Sequence, residues 1–492
     1  MAEKIFSKSR RAFIKTSVTG AAALTILPST VVSGLGHKAP SDKLNIAAVG
    51  VGGAGYRNLL NLEQENIVAL CDIDSRYAEK SFRRWSRANT YTDYRVMLEK
   101  ERNFDAVVVA SPDHSHAVIA IPAIQLQKHV FVQAPMAHAI YDARRMKQTA
   151  EVYQVATQVG NDVASGDGTR QLAETIWAGA IGAVTTVHAW TKAPNWPQGI
   201  QANLDEMRVP NSLNWDLFLG PSKQIAYNKT YTPFGWRAWW QFGNGTLGYI
   251  AAQLLEPIFR TFMLDAPLSI QASSSAVNLN SAPVSQKNHF SFARRDNLPK
   301  LAMPDLELNW YDGGLTPALS HHLPPQILDK YKDGGLILEG EKGVLICGYG
   351  ASKITIYNKQ NEVYFETGHT LHRIEGGSDS HEKDWVRACK ESNANRLPAS
   401  ASFNSQEALT ETLLCASMAV RMQSLNRKLE WSSEQMRFSN VSSTDELRMV
   451  ETKNFDIQNG LVQLNTNEST YNAEQFVNET VRPVSRIGWM QL

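Results

Sequence analysis

Residues 44–55 read LNIAAVGVGGAG, a short apolar run that leads directly into closely spaced glycines. The apolar run is typical of a buried strand, and the residues after the glycines are typical of a helix. The glycines therefore occupy a strand-to-helix turn. In this Gly-x-Gly-x-x-Gly pattern Gly50 allows a tight turn, Gly52 gives a pyrophosphate access to the backbone, and Gly55 allows close packing. Gly53 lies in the same loop. The stretch predicts a Rossmann domain that binds a dinucleotide at the helix N-terminus.

The next apolar run ends in an acidic residue. Residues 67–71 read IVALC and are followed by Asp72, 22 residues after Gly50. A carboxylate at this place suits the adenosine ribose hydroxyls and repels a 2′-phosphate, so NAD is favoured. NADP is less favoured, although the nearby Arg76 keeps it open.

Further strands and helices alternate with short loops. Residues 105–110 (DAVVVA) and 129–132 (HVFV) are apolar runs, and the loop SPDHSH at residues 111–116 follows the first of them. This alternation predicts an α/β protein with a parallel, doubly wound sheet, whose carboxyl edge binds ligands. The cofactor contacts predicted in this loop are Ser111, Pro112 and His116; for His116 a plain surface position is an equal alternative.

Composition bounds the class of protein. A chain of 492 residues exceeds the size at which one core stops growing, so two domains are expected. With 49 basic and 48 acidic residues there is no global positive field that would bind nucleic acid. Four scattered cysteines are too few for a disulfide scaffold and lack zinc-like spacing, so no metal site is predicted.

The N-terminal residues resemble an export signal. Residues 9–15 read SRRAFIK, a twin-arginine pattern, and an uncharged, weakly apolar stretch follows at residues 16–32. We expect residues 1–38 to direct export by the twin-arginine route, with a soluble periplasmic product in a Gram-negative source. A basic, disordered arm is the alternative. No later segment is long and apolar enough to span a bilayer.

The motifs together resemble the Gfo/Idh/MocA oxidoreductases, in particular their exported bacterial branch. The resemblance rests on residues 50–55, 69–74 (ALCDID), 111–116, 127–130 (QKHV), 176–182 (IWAGAIG), 215–221 (WDLFLGP), 234–237 (FGWR), 384–390 (DWVRACK) and 485–489 (SRIGW). It implies a Rossmann domain over residues 42–165 and a C-terminal α/β domain over 166–440 with a large open, mostly antiparallel sheet and a helical part at 380–426. Residues 441–492 would be an extension packing on both. The family often forms oligomers.

Three landmarks of the family are altered in this chain. Its usual Glu-Lys-Pro is Gln133-Ala134-Pro135, its Gly-Asn-Gln-Gly-His is GNDVA at residues 160–164, and its Gly-Asp-x-x-x-His is GYIAAQ at 248–253. Gln133 can still hydrogen-bond the cofactor, but Ala134 can neither polarise a substrate oxygen nor relay a proton. The replacement catalytic candidates are Tyr249, Gln253 and Asp162, with Asp167 and His138 as further possibilities. Tyr249 and Gln253 share a helix face at i and i+4; the alternative is that they fill a relaxed, non-catalytic pocket.

The second half of the chain is rich in tryptophan. Flat aromatic faces pack well on sugar rings, so a carbohydrate or polyol ligand is expected, although each tryptophan is individually more typical of a core. The predicted substrate contacts are His188, Trp190, Trp196, Arg237 and Trp239. Farther on, residues 336–340 and 344–347 predict an antiparallel hairpin that turns at 341–343, and a polar tail follows the helical part.

Four functions remain open from the sequence. The first is an exported, nucleotide-loaded oxidoreductase-like protein with an impaired catalytic shell, acting alone or as a non-catalytic subunit beside an active homologue. The second is a working sugar or glycoside dehydrogenase that uses retained NAD and replacement residues. A carbohydrate-binding protein with an empty nucleotide fold and an NAD-using glycosidase on this fold are the other two.

Overall fold

A six-stranded parallel sheet surrounds the glycine-rich stretch. A computed structural model describes residues 42–200, 204–278, 280–296, 303–459 and 461–489, and the predicted export segment at 1–38 lies outside them. The strands are β1 (Asn45–Val49), β2 (Asn66–Cys71), β3 (Asn89–Tyr91), β4 (Ala106–Val109), β5 (His129–Gln133) and β6 (Thr157–Gly160). Their order is β3-β2-β1-β4-β5-β6, the doubly wound arrangement. All four residues of β4 are buried, as expected for a central parallel strand covered on both faces.

Helices cover both faces of this sheet. In chain order they are α1 (Ala54–Asn61), α2 (Glu79–Arg84), α3 (Tyr94–Lys100), α4 (His116–Gln125) and α5 (Ile140–Tyr153). The next helix, α6 (Asp167–Trp177), follows β6 and packs mainly against the helix over Ala252–Phe262. Because all strands are parallel, the residues that follow β1, β2, β4, β5 and β6 meet at one edge. The predicted cofactor and catalytic residues of the first domain follow these strands.

The second sheet has ten strands and is mostly antiparallel. They are β7 (Val184–Thr191), β8 (Ser269–Ser274), β9 (Gln286–Phe292), β10 (Leu306–Tyr311), β11 (Gly334–Gly340), β12 (Gly343–Cys347), β13 (Thr355–Asn358), β14 (Asn361–Val363), β15 (Leu429–Ser432) and β16 (Arg437–Phe438). Their order is β14-β13-β12-β11-β7-β10-β9-β8-β15-β16, with β7 and β10 parallel. The predicted fold class is therefore confirmed. The predicted hairpin is also confirmed, since Gly340 pairs with Gly343 across the turn between β11 and β12.

Four further helices follow in chain order: α7 (Trp215–Leu219), α8 (Ala252–Phe262), α9 (His381–Lys390) and α10 (Phe403–Arg421). Helices α8 and α10 pack on one face of the second sheet. Helix α9 packs on the parallel sheet, where Trp385 shares a buried cluster with Ile46 and Phe131, and α7 belongs to a separate aromatic cluster. Val187 and Ala189 of β7 belong to the same buried cluster as Leu254 and Leu255 of α8. That cluster also contains residues of the parallel sheet, so the two sheets share a continuous core within residues 44–492.

The chain after residue 441 is more ordered than a polar tail. It forms a two-stranded ribbon, β17 (Glu446–Gln458) with β18 (Leu461–Asn472), followed by α11 (Ala473–Val481). Leu447 and Met449 of β17, and Val477 of α11, are buried in the main core. Residues beyond α11 return to the edge of the parallel sheet.

Candidate dinucleotide and active site

A cavity of about 390 Å³ lies at the carboxyl edge of the parallel sheet. Its walls are the glycine-rich loop, the ends of β2, β3 and β4, the segment 232–237 and Trp489. It lies where doubly wound sheets bind their ligands. Of the residues predicted from the sequence, it is lined by Gly50, Gly52, Gly53, Asp72, Ser111, Pro112 and Arg237.

Two glycines of the glycine-rich loop leave no room for a side chain. Gly50 has φ +80°, and a Cβ there would lie 2.7 Å from the backbone of Ala110 and Ser111. A Cβ on Gly55 would lie 2.1 Å from the carbonyl oxygen of Gly50. Helix α1 then begins without a capping side chain or an acidic residue in its first turn. Its first N–H groups and the positive end of its dipole can therefore receive a pyrophosphate.

Asp72 lies beside this loop. Its Oδ2 accepts hydrogen bonds from the amides of Val51 (2.8 Å) and Gly52 (3.1 Å), and its Oδ1 accepts one from Asp74 (3.0 Å). Burial raises the pKa of Asp72 to about 6, although these three amides favour the ionised form. Tyr77, which sequence reasoning missed, packs its ring on Gly52 at a place where a Cβ would lie 2.2 Å away.

Two predicted cofactor contacts lie behind the cavity wall instead of in its lining. His116 is fully buried, with Nδ1 3.0 Å from the Pro135 carbonyl and Nε2 2.8 Å from the Ser111 carbonyl. Burial lowers its pKa to about 4. Gln133 donates from Nε2 to Oδ1 of Asn58 (2.7 Å) in α1. His116 thus contacts two backbone carbonyls and Gln133 contacts α1, and neither side chain lines the cavity.

The three catalytic candidates come together. Nε2 of Gln253 donates to Oδ1 of Asp162 (2.9 Å) and lies 3.4 Å from the Tyr249 hydroxyl. The Tyr349 hydroxyl donates to Oε1 of Gln253. Tyr249 lies in a π-helical turn, Leu247–Ala251, directly before α8; such turns are frequent at functional sites. Sequence reasoning missed Tyr349 because it is 96 residues from Gln253 along the chain.

The other two replacement candidates lie outside this cluster. Asp167, at the start of α6, has a largely exposed side chain 3.7 Å from Arg373. His138 has its Nε2 buried without a hydrogen-bond partner among the described residues, and burial lowers its pKa to about 3. Neither is part of the hydrogen-bonded group around Gln253.

Arg237 is held by aromatic rings. Its guanidinium lies 4.2 Å from the ring centroid of Trp236, 4.5 Å from that of Phe234 and 5.6 Å from that of Tyr249. Burial lowers the pKa of Arg237, and burial also raises the pKa of the neighbouring Asp113 to about 7. Arg237 therefore connects the dinucleotide cavity with the cluster around Tyr249. Trp196 supports it from behind, with its ring centroid 5.9 Å from the guanidinium.

Three of the predicted substrate contacts do not line the cavity. Side chains alternate along β7, so His188 and Trp190 lie on the sheet face opposite to Val187 and Ala189 and to α8. Trp190 packs there with Tyr331, and His188 lies 3.3 Å from the Tyr311 hydroxyl. Trp239 is 3 % exposed and packs edge-on against Tyr231 in an aromatic core. The sheet or this core separates all three from the cavity.

Two protein-family profiles match the chain over the first sheet and over part of the second. The profile of the oxidoreductase family with NAD-binding Rossmann fold, Gfo/Idh/MocA, matches residues 44–161, and that of its C-terminal α/β domain matches residues 177–296. The chain belongs to the Gfo/Idh/MocA family.

Individual Gfo/Idh/MocA relatives match over part of their length. A glycosyl hydrolase family 109 protein of Shewanella woodyi is 28 % identical over 25 % of this chain and 29 % of its own. Inositol 2-dehydrogenase of Rubrobacter xylanophilus is 28 % identical over 32 % of this chain and 47 % of its own. The chain thus spans less than half the length of either relative.

A solved structure shows the same fold over a longer stretch of this chain. The WlbA dehydrogenase of Bordetella pertussis, in complex with NADH and UDP-GlcNAcA, superposes with a TM-score of 0.54 and 14 % identity. The superposition covers 79 % of this chain and 99 % of that one.

NAD, the cofactor of this Gfo/Idh/MocA domain, fits the residues present. A Cβ at Gly50 or Gly55 would meet backbone atoms, the start of α1 is uncapped, and Asp72 lines the cavity beside it. Gly50, Gly52, Gly53 and the first amides of α1 would hold the pyrophosphate, and Asp72 the adenosine ribose. When bound, NAD supplies the hydride-accepting ring. Among the described residues there is no group of three or more His, Cys, Asp or Glu that could hold a metal ion, and no helix long and apolar enough to cross a membrane.

The pKa of Asp72 makes NAD affinity dependent on pH. Below about pH 6 the carboxyl is protonated and loses its capacity as an acceptor for ribose hydroxyls. The dissociation constant for NAD, measured by calorimetry, is therefore expected to rise roughly tenfold between pH 7 and pH 5. Because the pKa of Asp72 is raised in the folded state, this group makes the free energy of unfolding increase as the pH falls from 7 to 5. Weaker NAD binding at pH 5 would therefore not come from unfolding caused by this group.

Two variants test the assignment of this pH dependence. Asp72→Asn should bind NAD weakly, with a dissociation constant that does not change between pH 7 and pH 5. Asp74→Asn, two residues away, should keep the pH dependence of the unmodified protein. A dissociation constant that still rises at pH 5 in Asp72→Asn would assign the titration to another group.

Proposed function

We propose that this protein is an NAD-holding member of the Gfo/Idh/MocA family that binds a sugar or glycoside outside the cytoplasm and in which hydride transfer is impaired. The observation that carries the proposal is the Gln253 side chain. Its amide donates to Asp162 and accepts from Tyr349, so an amide that cannot titrate occupies the centre of the polar cluster. The nucleotide cradle beside it retains all three glycines of its motif.

Removal of a hydride from a carbinol also requires removal of the hydroxyl proton. A positioned base contributes about 10²–10⁴-fold, and a cation at the developing alkoxide contributes more. Ala134, 4 % exposed at the end of β5, offers a methyl group where the family pattern has a lysine. The loss of both groups accounts for an impaired, nucleotide-loaded protein.

A carbohydrate ligand is supported by the cavity and by the relatives. Trp236 and Phe234 present aromatic surface to the cavity beside the Arg237 guanidinium. Such a combination suits the C–H face and the hydroxyls of a sugar ring. Relatives or structural neighbours include an inositol 2-dehydrogenase and a levoglucosan dehydrogenase bound to L-sorbose. NAD remains favoured over NADP because a carboxylate, Asp72, lines the ribose end.

An active dehydrogenase is the second candidate. The Arg237 guanidinium, which lines the cavity, lies 5.6 Å from the Tyr249 ring centroid, so a cation lies beside a phenol. In that mechanism the Tyr249 hydroxyl accepts the substrate hydroxyl proton as it releases its own proton to solvent, and Arg237 stabilises the negative charge that develops on the substrate oxygen. Because free NAD is scarce outside the cytoplasm, such an enzyme would oxidise and re-reduce sugars on one retained cofactor.

Export and assembly complete the proposal. The twin-arginine pattern at residues 9–15 supports secretion of the folded protein with its nucleotide to the periplasm. The family resemblance favours a homo-oligomer, or a hetero-oligomer in which this chain is the non-catalytic partner of an active homologue.

Absorbance near 340 nm of the protein as purified tests the proposal directly. A panel of glycosides and keto-sugars is added, and the protein is then denatured to release nucleotide. The expected result is no change in the band with any sugar, together with nucleotide released on denaturation. A band that appears or disappears with one class of sugar contradicts the impairment and selects the active dehydrogenase. A protein that neither contains nor binds nucleotide contradicts both the impaired protein and the active dehydrogenase.

A further inference from the structure

The residues after α11 form a strap across the edge of the cavity. This C-terminal strap, residues 483–489, is anchored by Arg486. The guanidinium donates to Oδ1 of Asp216 (2.5 Å), to Oε1 of Gln224 (2.8 Å) and to the carbonyl oxygens of Asp216 (2.9 Å) and Gly220 (3.1 Å). The Arg486 amide also donates to the Pro221 carbonyl (3.0 Å). One side chain therefore attaches the strap to α7 and to the segment that follows it.

Trp489 at the end of the strap contributes to the cavity wall. It is 9 % exposed and lies among the residues that line the cavity. The guanidinium of Arg95 lies 4.2 Å from its ring centroid, and the ring of Tyr94 lies 6.2 Å away. Arg95 is itself held by Asp93 (2.7 Å) and donates to the Gly488 carbonyl (3.4 Å). The indole is thus fixed from the Rossmann side as well as by the strap.

The part of the dinucleotide near Trp489 follows from the strand order. In a doubly wound sheet the acidic residue at the end of β2 binds the adenosine ribose. Asp72 has that place, and Thr92 and Tyr94 line the cavity just after β3, the neighbouring strand. Trp489 packs against this β3 loop, whereas Tyr249 and Gln253 lie beyond Arg237. The group that would lie against the indole is the adenine.

We propose that Trp489 covers the adenine of the bound dinucleotide and that the C-terminal strap must be displaced before the cofactor can leave. This inference rests on the proposed NAD-holding function and adds the device by which the cofactor is retained. Stacking on an aromatic side chain slows release of a base, and the Arg486 anchors keep the indole in place without the ligand. A cofactor held in this way is suited to export in the bound state.

Release of the cofactor from full-length protein tests the strap. The dissociation rate of NAD⁺ is measured with an excess of trapping protein, and affinities for ADP-ribose and nicotinamide mononucleotide by calorimetry. Trp489→Ala is expected to speed NAD⁺ release and to weaken ADP-ribose binding by about 10–100-fold. Nicotinamide mononucleotide, which lacks adenine, should bind with unchanged affinity. Trp489→Phe should restore most of the retention.

Two further variants distinguish a specific effect of the strap on NAD⁺ release from a general loss of stability. Arg486→Ala removes the anchor and should speed NAD⁺ release as Trp489→Ala does. Ile487→Ala, on the same strap but with its side chain 89 % exposed, should behave like the unmodified protein. Release from Trp489→Ala at the unmodified rate, or an equal loss of affinity for nicotinamide mononucleotide, overturns the strap alone. An unmodified protein that binds no NAD⁺ overturns the strap and the proposed function together.

Discussion

The double substitution Ala134→Lys with Gln253→His is expected to raise sugar-dependent reduction of NAD by about 10²–10⁴-fold over the unmodified protein. Gln253 already lies 2.9 Å from a carboxylate oxygen of Asp162, so an imidazole there gains a partner that orients it. A lysine at the end of β5 brings a cation to the oxygen that loses its proton. The rate is measured as the increase of absorbance at 340 nm with saturating NAD and each sugar of the panel.

A matched variant isolates the effect of the new charge. Ala134→Met with Gln253→His has a side chain of similar length and no ammonium group, and it should show little of the gain. Adding Tyr249→Asp to the lysine–histidine pair completes the family pattern and should increase the rate further. Melting temperatures of all variants establish that each is folded, because Ala134 is 4 % exposed. Unmodified protein that turns over as fast as the double variant would contradict the proposed impairment.

Gly55→Ala is expected to abolish retention of NAD and to destabilise the fold. The new methyl carbon would lie 2.1 Å from the Gly50 carbonyl oxygen and 3.2 Å from the Ala110 side chain. Because the first contact is with backbone, the loop itself must move, at a cost of about 1–3 kcal/mol. A displaced loop no longer presents its amides to the pyrophosphate, so NAD affinity should fall by on the order of 100-fold. Thermal unfolding and calorimetry with NAD measure the two effects.

Gly53→Ala is the control within the same loop. Its methyl carbon would meet the Tyr77 hydroxyl at 2.7 Å, which is the far end of a side chain that can turn away. The same chemical change should therefore cost much less stability and affinity than at Gly55. Equal losses at the two positions would show that the loop tolerates no methyl group anywhere, and that the contact with Gly50 is not the reason.

Local patterns predicted the parts of this protein that depend on short stretches of chain. The glycine-rich turn between β1 and α1 follows from an apolar run beside three spaced glycines. The contact of Tyr249 with Gln253 follows from their spacing of four residues in one helical stretch, which the π-turn preserves. The hairpin of β11 and β12 follows from its turn residues. In each case neighbours in sequence remain neighbours in space.

Side-chain direction in the second sheet could not be predicted in the same way. His188 and Trp190 are residue types that often contact sugars, but the register of β7 places them on the sheet face opposite to α8. Which face of a strand is covered depends on helices that are distant along the chain. Trp239 is similar, since an aromatic residue gives no sign from its type alone whether it lines a cavity or a core.

The sequence by itself determined a doubly wound domain with a glycine-rich dinucleotide cradle and an acidic residue after its second strand. It also has Ala134 and Gln253 where the family resemblance predicts lysine and histidine. Only the tertiary structure decided what surrounds these residues: the Tyr349 hydroxyl on Gln253, the aromatic support of Arg237, and Trp489 in the cavity wall. These contacts join residues far apart along the chain, and no local propensity or periodicity encodes such a distance. They form because the two sheets share one core, which brings the carboxyl edge of the first sheet against α8 and the C-terminal strap.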